Sequence, residues 1–168
     1  NKQTDLVIIG AGPAGIFTAL EMLKKGSHQS ITIIEKGLSV EKRHCPKAQT
    51  GRCMNCPSCA ITTGFSGAGA FSDGKLSLSY EVGGDLPQLI GEDFAQQMIH
   101  YTDEIYLSFG ADPRVEGVSD PIAIKEIRRK AIQAGLKLVD CPIRHLGTEK
   151  AQEIYGAIEK YLIQNGVE

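Results

Sequence analysis

The start of the chain constrains the fold more than any other segment. A mostly apolar run at residues 5–9 leads into a glycine-rich stretch at residues 10–15, and a second mostly apolar run at residues 31–34 is followed by Glu35. The residues between them predict a helix that runs to about Lys25, where Gly26 stops it. We therefore expect a strand, a tight turn, a helix and a second strand, which is the opening of an α/β fold.

The glycines at residues 10–15, here called the fingerprint turn, have the Gly-x-Gly-x-x-Gly spacing of dinucleotide-binding sites. Gly10 would make the tight turn, Gly12 would leave space for a pyrophosphate, and Gly15 would let the helix pack closely on the strand. Pro13 suits the first helical turn because its missing N–H group has no partner there, and Ala14 leaves the phosphate approach uncrowded. Unpaired N–H groups and the helix dipole would then bind the phosphates.

Glu35 follows the motif at the distance of about 20 residues that the fingerprint requires. Its carboxylate can accept hydrogen bonds from ribose hydroxyls and would repel a 2′-phosphate, which disfavours NADP. The alternative is a turn that is rich in glycine only because it is tight. The strand, helix, second strand and acid are all in register, however, so the sequence favours a nucleotide site.

The composition fits a globular domain and argues against two classes of partner. The 168 residues are 42% hydrophobic and 23% charged, with a formal net charge of −2. The sequence pI of about 6.1 and the lack of a long basic stretch predict no nucleic-acid partner. The most apolar stretch, residues 6–20, contains three glycines and a proline and predicts no membrane span. With no signal peptide visible, we expect a cytoplasmic protein.

The rest of the chain predicts an incomplete domain of a longer protein, because a dinucleotide-binding sheet has more parallel strands than the two before residue 40. We expect a strand–helix–strand unit (1–36), a Cys-rich and Gly-rich cofactor loop (37–84), a helical insertion (85–135), and a strand and helix that return to the sheet (136–168). Apolar spacing predicts helices over 87–109 and 122–134 and a strand over 136–140. Thr148 can cap a last helix that Asn165 and Gly166 end, with a strand expected next. The substrate domain would be absent from this chain.

Four of the five cysteines lie within the loop, in a Cys-x7-Cys-x2-Cys-x2-Cys run: Cys45, Cys53, Cys56 and Cys59. In a cytosolic protein this clustering predicts metal or redox chemistry rather than disulfides. Four thiolates can bind zinc or an iron–sulfur cluster, although the spacing is typical of neither. The alternatives are a dithiol that exchanges electrons with a nearby cofactor, and buried thiols without chemistry. Cys141 stands apart and is expected to be a small buried side chain.

Small residues are dense directly after the cysteines, at residues 63–76. Such a segment lets the backbone lie against a flat ligand such as a flavin ring, with N–H groups directed at the ring, while Asp73 or Lys75 tunes the charge of the ring. A flexible linker is the alternative, but linkers lack the paired phenylalanines and the internal Asp-Gly-Lys. The segment therefore predicts a second part of a cofactor site.

Together, the fingerprint turn, Glu35 with Lys36, the cysteine run, residues 64–76 and residues 144–148 resemble the uncharacterised FAD-dependent dehydrogenase family, which belongs to the glutathione-reductase-like flavoproteins. The resemblance spans nearly the whole chain, although the family's proteins are longer and their late Gly-Asp strand has no match here. It implies that Gly10, Gly12 and Gly15 hold the FAD pyrophosphate and that Glu35 holds the adenosine ribose.

The resemblance also implies contacts beyond the fingerprint turn. Lys36 and Arg43 would flank the adenine or the phosphates. Residues 64–76 would approach the isoalloxazine ring, with cofactor contacts at Gly67, Ala68, Gly69, Ala70, Phe71, Ser72 and Asp73.

Three residues are candidates for catalysis: His145, Arg144 and Lys75. A histidine beside an arginine, after a strand and before a capped helix, can lie over a flavin or bind an anionic substrate. The alternative is a histidine with a purely structural role.

The sequence thus predicts an α/β protein with an incomplete, Rossmann-like FAD/NAD(P)-binding fold. Its expected function is that of the N-terminal FAD-binding region of an FAD-dependent oxidoreductase, a dehydrogenase in which the flavin transfers a hydride or electrons. The small-molecule substrate or redox partner is not identified by the sequence, and we expect this stretch alone to be inactive. Two other functions stay open: an iron–sulfur-linked electron-transfer flavoprotein subunit, and a non-catalytic, zinc-stabilised nucleotide-binding scaffold.

Overall fold

In the computed structural model, which describes residues 3–168, the chain is a mixed α/β structure with two small sheets. The strands are β1 (Leu6–Ile9), β2 (Ile31–Ile34), β3 (Lys75–Ser77) and β4 (Ile143–His145). The α-helices are α1 (Pro13–Lys24), α2 (Lys47–Thr50), α3 (Leu86–Ile90), α4 (Glu92–Ser108), α5 (Pro121–Gln133) and α6 (Thr148–Gln164). Short 3₁₀ turns lie at Val40–Lys42 and Gly69–Phe71.

The chain divides into two compact units. The first comprises the chain up to Gly74 together with Thr148–Glu168, and the second comprises Lys75–Gly147. The second unit therefore begins earlier and ends later than the helical insertion that the sequence predicts at residues 85–135.

The first unit is built on a parallel pair of strands, β1 and β2, aligned from Leu6 opposite Ile31 to Ile9 opposite Ile34. Parallel neighbours need a crossover connection, and α1 supplies it. This helix buries Ile16 on its inner face, and it ends at Lys24, one residue before the predicted end. The strand–helix–strand arrangement expected from the sequence is thus present.

Helix α6 completes the first unit. It buries one face, with the spacing of an amphipathic helix, through Ala151, Ile154, Tyr155, Ile158 and Leu162. Beyond the helix, Glu168 N–H donates to Ile31 O (3.0 Å), and Ile33 N–H donates to Glu168 O (2.5 Å). This alternation is the pattern of parallel pairing, so the backbone at Glu168 extends the sheet at the edge of β2 opposite to β1.

The second unit contains an antiparallel pair, β3 and β4, in which Lys75 lies opposite His145. The predicted strand at residues 136–140 is wrong. Those residues form no regular element, and the strand that follows them, β4, pairs with β3 and not with the parallel sheet. Among residues 3–168, no strand pairs with residues 136–140 to supply backbone hydrogen bonds. By contrast, the N–H and C=O groups of Ile143 both bond to Glu116.

The single helix predicted over residues 87–109 is also wrong, because two helices, α3 and α4, occupy this range. Gly91 separates them with a φ of +85°, a backbone conformation outside the helical region. Helix α4 buries the aromatic Tyr106. Within residues 3–168, no helix combines the length and the apolar character needed to cross a membrane.

Candidate functional site

The fingerprint turn gives each of its three glycines a distinct geometry. Gly10 has a φ of +96°, which side-chain-bearing residues rarely adopt. A Cβ atom at Gly15 would lie 2.2 Å from Gly10 O and 3.0 Å from Ile8 Cγ2, so helix and strand pack too closely for any side chain. At Gly12, by contrast, a Cβ atom would meet nothing within 4 Å. The turn thus leaves open space beside Gly12.

The fingerprint turn contains the N-terminus of α1, which supplies hydrogen-bond donors. Gly12 is the N-cap residue, no side chain caps the helix, and Pro13 is its first residue. The first-turn N–H groups of a helix have no partner within it, and the helix dipole makes this end positive. Free donors beside open space fit the pyrophosphate that the fingerprint predicts.

Glu35 ties three parts of the first unit together. Its Oε2 accepts a hydrogen bond from Ala11 N–H (2.9 Å), and its Oε1 accepts from Gly37 N–H (2.9 Å) and Gly64 N–H (3.1 Å). Burial alone would raise the pKa of Glu35, but the backbone N–H donors, including that of Lys36, outweigh it and lower the pKa. The carboxylate is therefore ionised at neutral pH.

A cavity of about 180 Å³ lies beside Glu35 and also exposes Glu159. Burial raises the pKa of Glu159, although its Oε2 accepts a hydrogen bond from Val40 N–H (3.1 Å). The cavity walls are otherwise largely apolar, with Ile33, Leu38, Leu162, Ile163 and Val167 among them. Apolar walls with carboxylate acceptors suit a flat group that carries N–H or O–H donors.

Residues 63–76, here called the glycine-rich segment, lie directly against the fingerprint turn. Ser66 N–H donates to Ala11 O (2.7 Å), and a Cβ atom at Gly67 would lie 4.0 Å from Gly12 Cα. Ser66 is fully buried and has a φ of +73°, unusual for a residue with a side chain. The structure therefore brings together the two segments that the sequence predicts as cofactor-binding.

The other residues predicted to approach the ring continue this segment. Gly69 packs under Tyr155 of α6, because a Cβ atom there would lie 2.8 Å from the Tyr155 hydroxyl. Ala70 is buried, Ala68 is exposed, and Ser72 and Asp73 lie at the exposed end of the segment. The burial of these residues does not test whether they contact a flavin, so those contacts stay predictions.

Arg43 has a role that the sequence did not reveal. The side chain is 3% exposed, and its guanidinium donates to the carbonyl oxygens of Ala60, Ile61 and Phe65. Burial lowers the pKa of Arg43, and the nearby charge of Glu35 opposes this shift. Each guanidinium nitrogen thus has a partner within the protein. The predicted contact of Arg43 with adenine or phosphates is untested and stays a prediction. Lys36, the other residue predicted to flank the adenine, is exposed.

The structure does not assemble the predicted metal site. All five cysteines are free, with Cys53, Cys56 and Cys59 exposed and Cys45 half-buried. Over residues 3–168, no group of three His, Cys, Asp or Glu side chains is arranged to hold a metal ion. Cys141 is half-buried rather than buried, with its Sγ 3.1 Å from Ser77 Oγ.

The surroundings of Cys59 favour its thiolate form. The N–H of Ile61, with the hydroxyl and N–H of Thr62, lowers the pKa of Cys59, and the charge of Arg43 adds to this effect. The thiol is exposed, so its thiolate form is accessible to reagents.

The predicted catalytic residues all belong to the second unit, and they separate into two groups. Lys75 and His145 lie opposite each other on β3 and β4 and are both exposed. Arg144 lies on the other face of β4, 4% exposed, and donates to Asp103 Oδ2 (2.7 Å) and Asp112 O (2.6 Å). The hydrogen bonds to Asp103 raise the pKa of Arg144. The structure thus pairs His145 with Lys75 and not with Arg144.

Comparisons with known proteins give distant likenesses. No protein-family model matches the chain. An uncharacterized protein of Clostridium beijerinckii is 42% identical over 73 residues, which are 42% of this chain and 13% of that protein. Among solved structures, the chain is similar along its full length to 39% of an L-amino acid deaminase from Proteus vulgaris, with a TM-score of 0.46 and 16% identity. It is likewise similar to 38% of the L-amino acid deaminase from Proteus myxofaciens in complex with anthranilate, with a TM-score of 0.43 and 18% identity. The chain spans less than half the length of each of these proteins.

Proposed function

We propose that this chain is the FAD-binding part of an FAD-dependent oxidoreductase, a dehydrogenase with a Rossmann-like FAD/NAD(P)-binding fold. One observation carries the proposal. The fingerprint turn leaves open space at Gly12, at the N-terminus of α1, and the glycine-rich segment borders the same space at Gly67. When bound, FAD supplies the ring that accepts a hydride or electrons, and the protein supplies its position and surroundings.

The residues at the fingerprint turn would hold the phosphates. Gly10 and Gly15 fix the turn against the strand, and Gly12 leaves the approach open. The N–H groups of Ala14 and of Gly15 belong to the first turn of α1 and would donate to phosphate oxygens. Pro13 lacks an N–H group, but no helical hydrogen bond is lost, because an N–H at the first helical position has no partner within the helix.

Glu35 would hold the ribose of the adenosine. Its Oε2 accepts one N–H bond in the structure and so retains acceptor capacity for a ribose hydroxyl. The same ionised carboxylate would repel a 2′-phosphate, which supports FAD rather than an NADP-like ligand. The adjacent cavity, with Glu159 as a second acceptor, would receive the adenine.

Lys75 and His145 are the proposed residues for contact with substrate, since they share one exposed face of the β3–β4 pair. A cationic amine beside an imidazole suits an anionic substrate group and a proton transfer. Arg144 is left out of this role because its guanidinium is bound to Asp103.

The test is the visible absorbance spectrum of a full-length version of the protein, purified without oxygen, with metal analysis of the same sample. We expect flavin bands, and we expect Gly12→Val to lose them because the added side chain would occupy the phosphate position. Gly156→Val is the matched control. A Cβ atom at Gly156 also meets nothing within 4 Å, but Gly156 lies in α6 and not in the fingerprint turn. Absence of flavin in the wild type, with none taken up from added FAD, would contradict the proposal. Iron or zinc in stoichiometric amount would instead favour the electron-transfer subunit or the scaffold.

A further inference from the structure

Arg43 is a buried cation whose partners are backbone carbonyls. The side chain follows the Val40–Lys42 turn and is 3% exposed. Burying a guanidinium costs free energy unless its donors are satisfied, and bonds from a charged donor are stronger than neutral ones. The arrangement of those bonds therefore indicates what the residue does.

Each guanidinium nitrogen reaches a different carbonyl of one segment. Arg43 Nε donates to Ala60 O (2.8 Å), Nη1 donates to Phe65 O (2.7 Å), and Nη2 donates to Ile61 O (2.8 Å). The guanidinium carbon also lies 4.4 Å from the centre of the Phe71 ring, within cation–π distance. One side chain thus fixes four points of residues 60–71, here called the anchored segment.

The anchored segment is the one that borders the fingerprint turn. Ser66 N–H donates to Ala11 O, and Gly64 N–H donates to Glu35 Oε1. The Arg43 side chain packs closely on the backbone at Gly64, because a Cβ atom at Gly64 would lie 2.7 Å from Arg43 Cδ. A shift of the guanidinium would therefore shift the backbone that lies against the turn.

We propose that Arg43 is a positioning residue that holds the anchored segment against the fingerprint turn and thereby sets the affinity for FAD without touching the cofactor. The part that concerns FAD rests on the proposed function, whereas the holding of the segment stands on the contacts alone. Lysine cannot replace the arginine, since a single ammonium group cannot reach three carbonyls in the fixed geometry of a guanidinium fork.

The experiment compares Arg43→Gln and Arg43→Lys with Lys42→Gln in the full-length protein. Lys42 is the neighbouring cation and is exposed, so it controls for loss of one positive charge. Amide hydrogen exchange is measured for residues 60–71 without added FAD, with α1 as the internal reference for global folding. The dissociation constant of FAD is measured separately by titration. We expect both Arg43 variants to exchange at least about tenfold faster in the anchored segment and to bind FAD about tenfold more weakly, with Lys42→Gln like the wild type.

The two readouts distinguish the possible failures. Unchanged exchange in the anchored segment of Arg43→Lys overturns the proposal, and so does faster exchange with an unchanged dissociation constant for FAD. If Arg43→Gln also exchanges rapidly in α1, it has unfolded globally, and Arg43→Lys decides the outcome. A wild-type protein that binds no FAD would refute the proposed function, while the exchange measurement would still test the holding of the segment.

Discussion

At the scale of single residues, Glu35 joins the fingerprint turn to two later parts of the first unit through N–H groups of Ala11, Gly37 and Gly64. We expect Glu35→Gln to lower the free energy of unfolding by about 1–3 kcal/mol, since the side-chain NH₂ group would face backbone donors and one of them would lose its acceptor. It should also weaken FAD binding. Urea unfolding at pH 7 measures the first effect, with the exposed Glu41→Gln as control.

The same substitution has a defined pH dependence. The N–H donors outweigh burial and lower the pKa of Glu35 in the folded protein. A carboxylate with a lowered folded-state pKa stabilises the fold above its unfolded pKa, and this contribution is lost as the pH falls through the folded pKa. The difference in unfolding free energy between wild type and Glu35→Gln should therefore shrink in acid. A difference that is constant from neutral to acidic pH would show that the charge of Glu35 is not responsible.

A second residue-scale prediction concerns the cysteines. The N–H of Ile61, with the groups of Thr62, lowers the pKa of the exposed Cys59 thiol. Since the thiolate is the reactive form, iodoacetamide should alkylate Cys59 faster than the exposed Cys53 and Cys56 at neutral pH. The alkylation rate at Cys59 should also reach half its maximum below the usual pKa of a free thiol. Peptide mass spectrometry after timed labelling measures both quantities. Equal rates at the three thiols would contradict the prediction.

At the scale of elements, the contact between β1 and α1 separates a packing glycine from a binding glycine. A methyl group at Gly15 would collide with Gly10 O at 2.2 Å, whereas one at Gly12 would meet no protein atom within 4 Å. We expect Gly15→Ala to lower the free energy of unfolding by about 1–3 kcal/mol or more, and Gly12→Ala to change it by less than about 0.5 kcal/mol. Urea unfolding of both variants checks this contrast, and an equal loss of stability in the two would contradict it.

The elements also show what the sequence can and cannot predict. The β1–α1–β2 unit was predictable because its signals are local: two apolar runs, glycines at fixed spacing, and Gly26 after the helix. The strand expected at residues 136–140 was wrong because strand formation depends on a partner elsewhere in the chain. The role of Arg43 was missed for a related reason, since its three carbonyl partners lie 17 to 22 residues away and only the folded loop brings them together.

At the scale of the whole molecule, the residues that we propose to hold FAD all belong to the first unit, which is made of two separated stretches of chain. Helix α6 returns the chain from the second unit, its Leu162 helps to line the cavity beside Glu35, and Glu168 pairs with β2. Residues distant in the sequence thus complete one side of the candidate site. This explains why the cavity could not be predicted from the first 36 residues, although Glu35, one of its lining residues, could.

The second unit depends on a buried ion pair that links distant parts of the chain. Arg144 on β4 and Asp103 on α4 have side chains that are 5% and 6% exposed, and Arg144 Nη1 also bonds to Asp112 O. Removing one member of a buried pair leaves the other charge without a partner in a poorly solvated place, which costs about 3–5 kcal/mol. We expect Arg144→Gln to lower the free energy of unfolding by about this amount.

Two further variants separate this structural role from catalysis. The double variant Arg144→Met with Asp103→Leu removes both charges and should recover most of the stability, because no unpaired charge remains. Arg114→Gln, which removes an exposed arginine whose ion pair with Glu116 lies at the surface, should change stability by less than about 1 kcal/mol. Urea unfolding, followed by amide exchange in β3, β4 and α4, locates the loss. If Arg144→Gln keeps wild-type stability but loses turnover in the full-length enzyme, Arg144 acts in catalysis, and the stabilising role that the ion pair indicates is refuted.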